Sequence, residues 1–134
     1  EDPVANPADL DQLSAVPVAL DELLEPSLIG HPNVRAVVIK PSLWGDMTST
    51  LIEKARQNQR KVVLSSAFET SVGLSRIAAL ADSTVAHGLG TIGWFEQHLV
   101  KQPATIVEGR LCFPWTRLGP EHIDFDRLKL EHQQ

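Results

Sequence analysis

Three short apolar runs punctuate the first half of the chain, and each stops on a polar residue. "VPVAL" (16–20) ends at Asp21, "RAVVIK" (35–40) ends on Lys40, and "KVVLSS" (61–66) ends on two serines. The second run is continuous, β-branched and bounded by Pro32-Asn33 and Pro41, the pattern of a strand buried on both faces. Between the runs the apolar residues change to a helical period. Met47, Leu51, Ile52 and Ala55 share one face of "DMTSTLIEKARQNQ" (46–59), with Asp46 placed as its cap. Leu74, Ile77, Ala78 and Ala81 share one face of "SVGLSRIAALADS" (71–83). "ADLDQLSA" (8–15) reads as a further short helix, and "TVAHGLG" (84–90) as a weaker strand that stops on glycines. This alternation predicts an α/β fold built on a parallel sheet.

Polar or special residues recur where the runs end, at positions 1, 21, 40, 65 and 88, spaced by 20, 19, 25 and 23 residues. That spacing suits one β/α unit with short loops, the ordering of a β/α barrel whose chemistry sits at the C-terminal ends of its strands. A doubly wound open sheet is the alternative, and its usual glycine-rich phosphate loop is missing. The pattern changes after residue 100. "ATIVEGRLCF" (104–113) predicts an antiparallel hairpin around Glu108-Gly109, and "HIDFDRLKLEHQQ" a polar, peripheral tail. The expected division is a β/α region over 1–100 and a hairpin with tail over 101–134.

Composition narrows the class. A chain of 134 residues, 43% hydrophobic and 22% charged, suits one ordinary globular unit. The net charge of −5 and the lack of a Lys/Arg run argue against a nucleic-acid or anionic-membrane partner. No apolar stretch approaches the roughly 20 residues that span a bilayer. Cys112 is the single cysteine, so no internal disulfide forms, and a reducing compartment such as cytoplasm or plastid stroma is expected. "EDPVANP" reads as the middle of something, the start of a processed or truncated chain.

The strand ends carry the candidate chemistry. Glu1 and Asp21 are hard oxygen ligands on successive strands, a pairing that suits Mg²⁺; acidic residues in exposed loops are the plainer account. Lys40 ends a buried strand, where its charge is costly without a carboxylate or an anionic substrate; a lysine snorkelling to the rim is the alternative. Ser65 and Ser66, just before a helix that starts near Ser71, are candidate hydroxyls for a carboxylate, where ordinary N-cap chemistry already accounts for Ser71 or Thr70; Gly88 allows backbone to approach a ligand closely, with a tight turn as the alternative. Glu69 is a structural partner or a cap. His87 reads as a packed or surface histidine, and Trp44, Trp94 and Trp115 as core or interface residues. The adjacent Asp21 and Glu22 could mimic a dyad, but neighbours on a strand face opposite ways.

In this order, "EDP", "ALDE", "VIKPSLWG", "VLSSAFETSVGL" and "HGLGT" resemble the C-terminal barrel segment of the o-succinylbenzoate synthases of the enolase superfamily, particularly their cyanobacterial and plant form. The resemblance spans about residues 1–100 and continues more loosely through "EGRLCF". It implies a (β/α)₇β barrel of which this chain supplies the fourth strand end through the eighth strand, without the N-terminal capping domain and first strands. Glu1 and Asp21 match the second and third metal ligands, for Mg²⁺ or alternatively Mn²⁺. Lys40 matches the lysine of the sixth strand, set against the substrate's ring and enolate. Ser65, Ser66 and Gly88 match positions near the succinyl part and carboxylate of the substrate. The implied reaction is dehydration of 2-succinyl-6-hydroxy-2,4-cyclohexadiene-1-carboxylate to o-succinylbenzoate, a lyase step toward menaquinone or phylloquinone.

The chain departs from the family pattern at two motif positions: Leu23 replaces the small polar residue of the common "DES", and Thr70 stands where the family often has serine, a mild change. More serious, the lysine pair that provides the general base and the first metal-binding aspartate have no counterpart in this sequence. The missing N-terminal part of the barrel is expected in the same or another chain. This chain by itself is expected to be marginally stable or aggregation-prone, and inactive. Alternatives are an N-succinylamino acid racemase of the same superfamily, with Lys40 as a true acid/base, and a non-catalytic barrel piece serving as an interaction or assembly domain.

Overall fold

Strand β2 (Val34–Ile39) is the middle strand of a three-stranded parallel sheet in the computed structural model, which describes residues 1–13 and 16–128. β1 (Val18–Leu20) flanks it on one side and β3 (Lys61–Leu64) on the other, so spatial order follows chain order. The register pairs Leu20 with Val37 and Ile39 with Leu64. Val37, Val38 and Ile39 are buried in succession, as a strand covered on both faces requires.

The crossover from β2 to β3 runs through α1 (Pro41–Trp44) and α2 (Met47–Gln57), and α2 packs on β2 and β3. Gly45, at φ +51°, separates the two helices, and α2 takes up its own phase after it. Its buried stripe is Thr48, Leu51, Ile52 and Ala55, whereas Met47, expected on that face, is 45% exposed. Asp46 does not cap α2. Its backbone is already helical (φ −63°, ψ −22°), while a capping side chain needs the extended conformation, and it makes no such bond.

The chain forms two compact units, the first being Glu1–Ser65 with Ala81–Gly88 and the second Ser66–Leu80 with the chain from Leu89 onward. Leu10, Leu20, Ile29, Val34, Val37, Ile39, Leu51 and Leu64 are fully buried in the first. Residues 7–13 form a 3-10 turn rather than an α-helix, and Ser14 and Ala15 of that expected helix lie outside the described residues. The expected strand over 84–90 is a single parallel bridge between Ser65 and Gly88. The reason is local: the Leu64 N–H, which a full strand would bond through backbone, donates to the His87 ring at 3.0 Å.

In the second unit α3 (Ser71–Ala78) ends five residues before its expected limit and buries Leu74 and Ile77, leaving Ala78 half-buried; Ala81, beyond the helix, is half-buried and belongs to the first unit. β4 (Thr105–Val107) and β5 (Arg110–Cys112) form the expected antiparallel hairpin. Its turn residues Glu108 and Gly109 both have positive φ, the twist a two-residue hairpin loop needs. The tail is pinned rather than merely peripheral, because Ile123 bridges to the buried Val100; residues 129–134 lie outside the described part. Trp94 is 79% exposed and meets Phe68 edge-to-face. Among the described residues no helix is long and apolar enough to cross a membrane.

Candidate active site

Each parallel strand delivers a polar residue to the same, C-terminal end of the sheet: Asp21 follows Leu20, Lys40 follows Ile39, and Ser65 follows Leu64. Pro41 fixes where β2 stops. It opens α1 at a first-turn position where its missing N–H costs nothing, and Lys40 remains extended just before it. The Lys40 ammonium lies 2.7 Å from the Asp21 carboxylate and 2.9 Å from Glu22 Oε1. Glu1, Asp21 and Glu22 offer carboxylate oxygens that all lie within 4.8 Å of one another. Leu43 and Trp44 of α1 join Asp21, Glu22 and Lys40 around an open cleft of about 290 Å³.

The cluster is graded in exposure. The Asp21 side chain is 9% exposed, Lys40 21% and Glu22 75%. A hydrogen bond with Asp21, then desolvation, then the negative charge of Asp21 hold the Glu1 carboxyl above the usual carboxylate range. The Lys40 ammonium is favoured in turn. Its hydrogen bond to Asp21 outweighs the opposing desolvation, and Glu22 adds to it, so its pKa lies above the ordinary lysine value. Three hard oxygen donors this close, with the Glu1 carboxyl held above its usual range by Asp21, form a set whose crowding a small divalent cation would relieve, so the residues fit Mg²⁺ or Mn²⁺.

Two participants escape a reading of the sequence by strand ends. Glu22 looks misdirected if residues 21 and 22 alternate as on a strand, but β1 ends at Leu20 and both residues occupy the turn beyond it. Pleat alternation no longer applies there, and both carboxylates reach Lys40. Asp2 follows the candidate ligand Glu1. Its N–H donates to the Ala19 carbonyl at 3.0 Å, and its carboxylate accepts from the N–H groups of Asp21, Glu22 and Leu23 at 3.1, 2.7 and 3.3 Å. The charge beside Glu1 in "EDP" was its only trace in the sequence.

The three residues expected near a substrate carboxylate divide between the two units. Ser65 and Gly88 are neighbours in the first unit. The Gly88 N–H donates to the Leu64 carbonyl at 2.8 Å, and a Cβ at Gly88 would stand 2.9 Å from Ser65 Oγ. Ser66 belongs to the second unit, where its buried hydroxyl accepts from Thr91 Oγ1 at 2.8 Å. Ser71 Oγ, also buried there, has no hydrogen-bond partner among the described residues. Glu69 accepts from the Ala67 N–H at 2.7 Å, a structural bond within its own turn. His87 is structural too: Nδ1 takes the Leu64 N–H and Nε2 donates to the Asp82 carbonyl at 2.9 Å, which occupies both ring nitrogens.

No protein-family model matches the chain. In sequence it is similar to Protein PHYLLO, chloroplastic, of Arabidopsis thaliana, 33% identical over 132 residues that cover 75% of this chain and 8% of that protein. It is similar to the o-succinylbenzoate synthase of Vibrio cholerae, 33% identical over 114 residues, covering 74% of this chain and 34% of that one. The o-succinylbenzoate synthase of Mycobacterium tuberculosis is 35% identical over 135 residues, covering 92% of this chain and 41% of that enzyme. The chain thus spans less than half the length of these curated relatives.

Proposed function

We propose that this chain, a relative of the o-succinylbenzoate synthases of the enolase superfamily, carries the metal-binding and lysine-bearing part of an active site for the same dehydration. The observation that carries the reading is the convergence of Glu1, Asp21 and Lys40 from separate segments onto one end of a parallel sheet. The sequential parallel order β1-β2-β3 is that of neighbouring strands in the wall of a (β/α)₇β barrel, an order that one half of a doubly wound sheet shares.

In the reaction a proton leaves the carbon α to the substrate carboxylate and the ring hydroxyl departs, so that water is eliminated and the ring becomes aromatic. Glu1 and Asp21 would hold Mg²⁺ or Mn²⁺, with Glu22 within reach as a third oxygen. A divalent cation held by these residues would supply stabilisation of the negative charge that develops on the substrate carboxylate. Lys40 acts as a fixed cation beside that charge. Its two carboxylate partners keep it protonated, and its extended backbone before Pro41 holds it at the end of the sheet. Ser65 and Gly88 present a hydroxyl and backbone at the end of the neighbouring strand, for the substrate's succinyl part and carboxylate. The proton acceptor is assigned to no residue of this sequence.

The test is an assay of the protein that carries this sequence with the cyclohexadiene substrate, with and without Mg²⁺. Metal-dependent formation of o-succinylbenzoate, lost in Asp21→Asn and Lys40→Ala, is expected. Racemisation of N-succinylamino acids without dehydration would replace the reading with the racemase. No turnover of either substrate, with thermal stability indifferent to Mg²⁺, would leave a non-catalytic domain.

A further inference from the structure

Asp2 lies beside the acidic cluster of Glu1, Asp21 and Glu22 and bonds its backbone rather than joining its oxygens. Its carboxylate collects three successive backbone N–H groups, those of Asp21, Glu22 and Leu23, across a sequence separation of 19 to 21 residues. Its own N–H is bonded to Ala19, in the strand that leads into that turn. A carboxylate can accept several N–H bonds at once, and such charge-assisted bonds are about twice as strong as neutral ones. The turn that carries two of the three clustered carboxylates is therefore gathered on one neighbouring side chain.

The backbone argues for the same role. Asp2 has φ +35° and precedes a proline, a combination most side chains resist. Aspartate and asparagine are the L-residues that tolerate positive φ best. With Asp2 in that conformation, its carboxylate reaches the 21–23 turn while Glu1, on the other side of the same peptide, reaches Asp21.

We propose that Asp2 is a positioning residue, a backbone clamp that presents Asp21 and Glu22 to a divalent cation and ties their turn to the segment carrying Glu1. The inference rests on the metal-site reading above and adds the group that shapes the site. Groups of this kind set ligand orientation without touching the metal, and their loss weakens metal affinity by about 10–100-fold.

Asp2→Asn isolates the clamp. Asparagine keeps the size and the tolerance for positive φ, but its amide N–H₂ faces backbone N–H groups on one side of the fork and cannot accept from them. In the protein that carries this sequence, binding of Mn²⁺ alone is followed by electron paramagnetic resonance, and amide exchange is measured at residues 21–23 and along β2 and β3. Asp2→Asn should bind Mn²⁺ about 10–100-fold more weakly, with faster exchange at 21–23 and unchanged protection in β2 and β3. Affinity within about twofold of wild type would overturn the clamp, since the outer-shell effect is far larger. So would loss of protection throughout β2 and β3, which would make Asp2 a support of the whole sheet rather than of the site. A wild-type protein that binds no Mn²⁺, or binds it undiminished in Asp21→Asn, overturns the metal-site reading itself, and the clamp with it.

Discussion

Replacing Lys40 by methionine removes the ammonium from between two carboxylates and keeps the length of the stem. Two unit charges about 4 Å apart interact by about 4 kcal/mol at an effective dielectric of about 20. The Lys40–Asp21 contact is 2.7 Å long and largely shielded, so it approaches that regime, although desolvation of both groups offsets part of the gain. The Lys40–Glu22 contact, with Glu22 75% exposed, belongs with surface pairs worth about 0–1 kcal/mol. Deleting one partner of a shielded pair also strands the other charge, here beside two further carboxylates. The expected loss in Lys40→Met is about 2–4 kcal/mol at neutral pH in metal-free buffer, most of it from Asp21. Urea unfolding of wild type and variant at pH 7 measures it. Acidification through the carboxylate range should shrink the deficit, because protonation relieves the repulsion left among Glu1, Asp21 and Glu22. A variant within about 0.5 kcal/mol of wild type at pH 7, the range of an ordinary surface change, would refute this account of Lys40. A deficit that stays constant on acidification would do the same.

The lysine also sets an alkaline limit. Because its folded pKa is raised above 10.5, its contribution is complete below that pH and is lost as pH climbs through the higher folded value. The stability gap between wild type and Lys40→Met should therefore stay flat from neutral pH up to 10.5 and close above it in alkaline urea titrations. His87→Ala should cost about 1–3 kcal/mol, because the N–H of the buried Leu64 loses its acceptor; thermal unfolding and amide exchange at Leu64 report it. Gly73→Ala in α3 would raise helix propensity by about 1 kcal/mol at an open site. Here the added Cβ would meet Glu69 Cβ at 2.7 Å, so a net loss of about 1–2 kcal/mol is expected in urea unfolding.

The sequence by itself determined the parallel sheet and which residues end its strands. Val37, Val38 and Ile39 are consecutive, apolar and β-branched between Pro32 and Pro41, the pattern of a strand covered on both faces, and Pro41 forces that strand to stop after Lys40. The hairpin at Glu108-Gly109 was equally legible, since its turn chemistry is contained in two residues. What lay outside the sequence was whatever depends on orientation after a strand ends. Pleat alternation governs residues within β1 but not the turn that follows, so only the tertiary structure decided that Asp21 and Glu22 point together at Lys40. The clamp by Asp2 spans some twenty residues to reach backbone N–H groups, which every non-proline residue carries and which leave no mark on the residue pattern. The strand expected over 84–90 gave way for a related reason: a histidine side chain took the Leu64 N–H that backbone pairing would have used, and side chain and backbone compete for such a donor only once the chain is folded.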